Sequence, residues 1–147
     1  MVETVRSILK SKGSQVWSID PEATVYDALA LMADKGVGAL PVVTEGALVG
    51  MFSERDYARK VILKGKSSMD TRVREIMTSP VFTTAPEKTV DDCMRLMTRH
   101  RVRHLPVMDG GRLVGVVSIG DLVNAIISAQ AATIDQLHAY IAGQYPG

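Results

Sequence analysis

The chain has 147 residues, 46% of them hydrophobic and 22% charged, with a formal net charge of +1. That length buries a core as one compact domain or two packed halves, and the balance excludes a general pull toward nucleic acid or anionic membrane. A single cysteine, Cys93, excludes an internal disulfide and, with three scattered histidines, a tetrahedral zinc site.

In chain order, residues 2–12 are expected to be helical up to Gly13, within an N-terminal extension set at residues 1–15. A short extended segment, Val16 to Ile19, then meets Pro21. Thr24 followed by Asp27 is a helix N-cap with an acidic residue at N3. Val25, Ala28, Leu29 and Met32 fall at i, i+3, i+4 and i+7, one apolar stripe facing a sheet. Strands are expected at Ala39 to Val43 and Ala47 to Phe52, joined through Gly46 as a hairpin. Pro41 has no N–H to give, so its strand runs at an edge or directs that position away from the ladder. A second helix opens at Ser53 and runs to about Lys64. Residues 65–80 form a polar loop with a short helical turn.

From residue 81 the pattern restarts. Val16 to Tyr57 lies over Val81 to Leu122 at a constant offset of 65 residues without a gap. Pro21, Thr24, Val25, Asp27, Met32, Leu40, Pro41, Val42, Gly46, Gly50, Ser53 and Asp56 recur as Pro86, Thr89, Val90, Asp92, Met97, Leu105, Pro106, Val107, Gly111, Gly115, Ser118 and Asp121. Two copies at so long a period point to one small module packed twice about a pseudo-twofold axis. Each reads β-α-β-β-α, the first at residues 16–64 and the second at 81–130. A helical tail at 131–147 carries Ile134, Leu137 and Ile141 at helical spacing. The fold class is α+β.

The Val37-Gly-Ala-Leu-Pro41 and Val102-Arg-His-Leu-Pro106 strands, followed by the Gly50-Met-Phe-Ser-Glu-Arg-Asp56 and Gly115-Val-Val-Ser-Ile-Gly-Asp121 turns, resemble a tandem pair of cystathionine-β-synthase (CBS) domains, a Bateman module. The resemblance covers residues 16–130. It implies two sheets packed into a disc with adenine nucleotides in its clefts, and sensing rather than catalysis. It also implies association as a homodimer through helices, with Met94, Met97, Ile126, Ile127, Leu137 and Ile141 as candidate contacts.

The residues suit such a ligand. Each Ser-x-x-Asp turn stands where a strand ends and a helix begins, so free N–H groups and the positive helix end favour phosphate. Asp56 and Asp121 could accept from a ribose diol, and Ser53 and Ser118 could serve a phosphate. A plain capping box satisfies the same four residues. Arg55 works against its helix dipole unless a phosphate compensates it, and Gly120 replaces it in the second copy. The first copy carries Gly38 and Ala39 where the second carries Arg103 and His104, which by the resemblance lie on the cleft strand, so the clefts are expected to differ in phosphate preference. Ala28, Cys93, Val37 and Val102 are the candidate walls of an adenine slot, with core packing the alternative for each.

The reading is a non-catalytic regulatory module for AMP, ADP or ATP, acting on a partner protein in trans, with NAD(H) or another adenosyl ligand as the alternative and no catalytic cofactor. An enzyme lacks parts here, since no metal-ligand spacing or nucleophile motif stands out. A ligand-independent scaffold or nucleic-acid binder using Arg99 to His104 is the third class, disfavoured by the neutral charge. No apolar run approaches the roughly 20 residues that span a bilayer, no signal-peptide pattern opens the chain, and the expected location is cytoplasmic.

Overall fold

The computed structural model describes residues 3–13 and 15–141; residues 1, 2, 14 and 142–147, including the end of the expected tail, lie outside the described residues. The elements are α1 (Val5–Lys12), α2 (Val25–Lys35), β1 (Ala39–Thr44), β2 (Ala47–Ser53), α3 (Glu54–Tyr57) with a π-helical continuation (Ala58–Ile62), α4 (Val73–Ile76), α5 (Val90–His100), β3 (His104–Asp109), β4 (Arg112–Ser118) and α6 (Ile119–Ile141).

Both expected N-caps form. Thr24 Oγ1 accepts from Asp27 N–H at 3.1 Å, and Thr89 with Asp92 makes a reciprocal capping box. The apolar stripes then face inward: Val25, Ala28 and Met32 of α2, and Val90, Cys93 and Met97 of α5, are buried. Each copy has its own core. One gathers the α2 stripe with Leu40, Val42, Phe52 and Val61; the other gathers the α5 stripe with Leu105, Val107, Val117 and Leu122. Burial of Met97 removes it from the candidate dimer contacts, and Met94 packs against the same core.

The hairpins β1–β2 and β3–β4 are antiparallel with the same register irregularity, after Val42 and after Val107. Pro41 faces Met51 across the ladder, and Met51 exchanges its hydrogen bonds with Thr78 instead. Proline therefore interrupts no bond. The expected first strand of each unit shrinks to a single parallel bridge, Ile19 with Val42 and Thr84 with Val107. Ile19 donates to Pro41 O at 3.0 Å and accepts from Val43 N–H at 2.9 Å, after which Pro21 takes the chain away from the ladder.

Two segments set outside the repeats belong to them. Val5 and Ile8 of α1 enter the core of the second copy, and Val73 and Ile76 of α4 enter the core of the first. Backbone bonds fasten both: Val5 N–H to Lys88 O at 2.9 Å, and Val73 N–H to Ala23 O at 2.9 Å. A Cβ added to Gly50 would stand 2.6 Å from Met77 Sδ, and one on Gly115 would stand 2.6 Å from Leu9 Cδ2. Only glycine lets α4 and α1 approach the strands this closely. Each copy thus borrows the helix that precedes its partner in the chain. The tail expected to start at residue 131 is likewise no separate unit. The second-copy helix and the tail are one 23-residue helix, because Ala129-Gln-Ala-Ala132 contains only strong helix formers and no breaker.

Candidate functional site

The Ser-x-x-Asp turns realise the capping geometry in both copies. Ser53 N–H donates to Asp56 Oδ2 at 3.0 Å, and Asp56 N–H donates back to Ser53 Oγ at 3.2 Å. Ser118 N–H donates to Asp121 Oδ2 at 2.8 Å, and Asp121 N–H to Ser118 Oγ at 3.1 Å. The remaining contacts differ. Asp56 Oδ1 takes Thr78 Oγ1 at 3.0 Å and Lys60 Nζ at 3.0 Å. Asp121 instead meets Lys12 Nζ, arriving from α1, at 2.7 Å.

Two clefts open on these turns, and each is assembled across the copies. The first, about 570 Å³, joins Ser53 to Asp56 of copy one with Val81, Phe82 and the run His100 to His104 of copy two. The second, about 520 Å³, joins Ser118 and Asp121 of copy two with Val16, Trp17 and the run Lys35 to Ala39 of copy one. Both volumes suit a nucleotide-sized ligand. The 65-residue offset carries most lining residues of one onto the other, as a pseudo-twofold axis requires.

Aromatic faces occupy matched positions. His100 stacks on Phe82 with ring centroids 3.7 Å apart and planes 12° from parallel. In the second cleft the equivalent pair is Lys35 over Trp17, with Nζ 4.2 Å from the ring centroid. The ionic content is unequal. Arg55, Arg59, Lys60, Arg101 and Arg103 line the first cleft against Glu54 and Asp56, whereas Lys12 and Lys35 line the second against Asp121. Arg55 does not await a ligand to find a partner, since its Nη1 donates to Arg101 O at 2.9 Å.

Titration behaviour follows from these neighbours. Burial pushes the His104 pKa below its usual value, Lys12 and Arg103 push it the same way, and Asp121 opposes them. Burial would raise Asp121, but hydrogen bonds from Lys12 and Ser118 outweigh it and hold the carboxyl below its usual value. Burial pushes the Cys93 thiol up, and its sulfur lies 3.3 Å from Thr84 Oγ1.

Of the sequence-predicted residues, the first cleft collects Ser53, Arg55, Asp56, Val102 and Arg103, the second Ser118, Asp121 and Val37, and both share Gly38, Ala39 and His104. Ala28 and Cys93 line neither cleft. Ala28 is fully buried and Cys93 is 1% exposed, each inside its own core beneath the sheet. The aromatic pair Trp17 and Phe82 was missed, as were Lys12, Lys35 and Thr78. A signal existed for the first two: in a chain with one tryptophan and two phenylalanines, Trp17 and Phe82 coincide at the repeat offset.

Comparison with known proteins agrees with this architecture. The CBS domain profile matches residues 5–63 and 73–128, starting at the first residues of α1 and α4. The chain is similar to the CBS domain-containing protein CBSX3 of Arabidopsis thaliana, named as mitochondrial, at 43% identity over 97% of this chain and 73% of that protein. A Burkholderia ambifaria protein with CBS domains superposes with TM-score 0.83 at 52% identity, over 86% of this chain and 96% of that one. The CBS domain pair of protein MJ0100, solved in complex with 5-methylthioadenosine and S-adenosyl-L-methionine, superposes with TM-score 0.75 at 25% identity, over 88% and 99%. With two repeated cores, each completed by a helix from before its partner, and two clefts at the Ser-x-x-Asp turns, the chain belongs to the CBS domain family as a tandem pair.

Proposed function

We propose that the protein is a non-catalytic regulatory module that takes an adenosine-containing ligand in its clefts and passes the occupancy to a partner protein in trans. One observation carries the reading: each cleft sets a capped helix N-terminus of one copy against an aromatic face and cations of the other. The helix end and cations favour phosphate, the Asp accepts from a ribose diol, and the Phe82 or Trp17 face suits a flat purine. The adenosyl ligands of the MJ0100 pair support this class. The charge of the first cleft favours AMP, ADP or ATP there; NAD(H), with its two phosphates, is the alternative.

The test is thermal unfolding of ligand-free protein with AMP, ATP, NAD, NADH and S-adenosylmethionine. A ligand at 100 times its Kd adds about 2.7 kcal/mol to the native state, and a rise in Tm of roughly 5–15 °C is expected for a chain of this size. No rise with any of them rejects the reading.

The module acts as a homodimer in this proposal. Ile126, Ile127, Ile134, Leu137 and Ile141 leave the α6 surface exposed and apolar, with Ile141 82% exposed. A closed twofold interface is the common way to cover such a stripe. Sedimentation at micromolar concentration is expected to give twice the 15.9 kDa chain mass; a monomer rejects this part.

A further inference from the structure

Three residues line both clefts: Gly38, Ala39 and His104. Gly38 has no side chain and Ala39 offers a methyl, so His104 is the one shared residue whose side chain can donate a hydrogen bond. Its pseudo-twofold mate is Ala39, which cannot. The wall has one imidazole for two clefts.

That imidazole stands at the boundary of the two clefts. His104 faces Ser118 across the β3–β4 ladder, beside the turn of the second cleft. A Cβ placed on Gly38 would stand 3.5 Å from His104 Nε2 and 3.8 Å from Glu54 Oε1. Gly38 O in turn accepts from Glu54 N–H at 3.1 Å, the first residue of α3 at the turn of the first cleft. The charged groups around the imidazole come from both sides: Lys12 of α1, Asp121 of α6, Glu54 of α3 and the neighbouring Arg103.

We propose that His104 couples the clefts, so that a nucleotide held in one weakens the binding of a second in the other. The proposal rests on the nucleotide-binding reading above. A neutral imidazole has one N–H, and the first phosphate to take it leaves the other cleft without that donor.

The experiment is a calorimetric titration of the full chain with ATP at pH 7, in wild type and in Asp56→Ala and Asp121→Ala, each of which disables one cleft. In wild type the second binding step is expected to be about fivefold or more weaker than the same cleft when its neighbour is disabled, the low end of a typical coupling. His104→Ala in all three backgrounds should bring the two values together. Gly38→Ala serves if that variant does not fold, because its methyl sits at ordinary contact distance from the imidazole, restricts its reorientation and should reduce the coupling. Equal affinities with and without an occupied neighbour overturn the inference, as does a difference that survives both substitutions. ATP binding at a single cleft in wild type overturns it as well. If no variant and no wild type binds ATP, the nucleotide reading itself falls, a separate result from two independent sites.

Discussion

The two clefts are the same construction carried out with different side chains. In the first, the capping aspartate is held by Lys60 one turn along its own helix and by Thr78 from the segment after α4. In the second, a lysine from α1 reaches the equivalent carboxylate. The first adds Arg55, Arg59, Arg101 and Arg103, where the second has Gly120, Asn124, Gly36 and Gly38. The duplicated backbone fixes the shape of a nucleotide-sized cleft, and the divergence fixes its charge. In the proposed reading, ligand class and ligand charge are therefore set by separable features of this chain.

The largest effect separates the clefts directly. Asp56→Ala and Asp121→Ala are each expected to lower affinity at one cleft by about tenfold or more, from loss of charge-assisted hydrogen bonds to ribose. Asp56→Ala should also lower the Tm more than Asp121→Ala. The Asp56 side chain is 11% exposed and serves Ser53, Thr78 and Lys60 at once, whereas the Asp121 side chain is 21% exposed and has Ser118 and Lys12. Calorimetry and thermal unfolding read both. Wild-type titrations in the two variants would mean that these aspartates only cap helices.

The repeat, the caps and the hairpins were legible because local chemistry decides them: Thr24 and Thr89 cap, and two matched apolar stripes need two matched sheets. What was missed depends on distance in the chain. Val5-Arg-Ser-Ile-Leu9 and Val73-Arg-Glu-Ile-Met77 are counterparts, but their offset is 68 rather than 65, and an ungapped comparison drops them. Gly50 and Gly115 were visible as conserved between the copies, yet their reason, the close passage of Met77 and Leu9, appears only in three dimensions. The same holds for the exchange of walls. Sequence placed Asp56 and Arg103 in different repeats, and packing puts them in one cleft. Ala28 and Cys93 could not be separated from the lining residues in sequence, because a small residue on an apolar stripe looks alike whether it faces a core or a ligand slot.

The charge difference predicts unequal preference for phosphate. ATP should exceed AMP in affinity at the first cleft and gain little at the second. Arg103→Ala should reduce ATP affinity at the first cleft by about fivefold, a figure kept small because the side chain is exposed and screened. Titrations of ATP and AMP in Asp56→Ala and Asp121→Ala backgrounds assign each value to its cleft. An Arg103→Ala variant that discriminates like wild type would show that the guanidinium faces solvent.

Proton linkage sharpens the comparison further. The His104 pKa lies below the usual value of about 6.5 in the free protein, and a nearby phosphate raises it. The complex therefore binds more protons than the free protein between those two values. Affinity should be highest below the lower one and fall as pH climbs through the window, which opens below about pH 6.5. The fold obeys the opposite sign: because the unfolded chain takes the proton more readily, stability falls as pH drops below about 6.5. ATP titrations and melts between pH 5.5 and 8, in wild type and His104→Ala, should show both trends in wild type and neither in the variant.

The smallest expected effect concerns one backbone position. Arg101 ends α5 in the left-handed region at φ 56°, where its counterpart Gly36 ends α2 at φ 66°. A side chain there costs about 1–2 kcal/mol, and glycine would relieve it. Glycine also frees the unfolded chain, which offsets roughly 0.4–1 kcal/mol of that gain. Arg101→Gly should therefore raise the stability of the ligand-free protein by a few tenths to about 1 kcal/mol, while lowering ATP affinity at the first cleft through loss of a lining cation. Stability and binding would move in opposite directions, as expected of strain kept at a binding site. The reverse change, Gly36→Arg, should destabilise the fold by about the same amount. An Arg101→Gly protein that melts lower than wild type and binds ATP as well would show that the side chain packs for stability, and the contrast between the clefts would not extend to this residue.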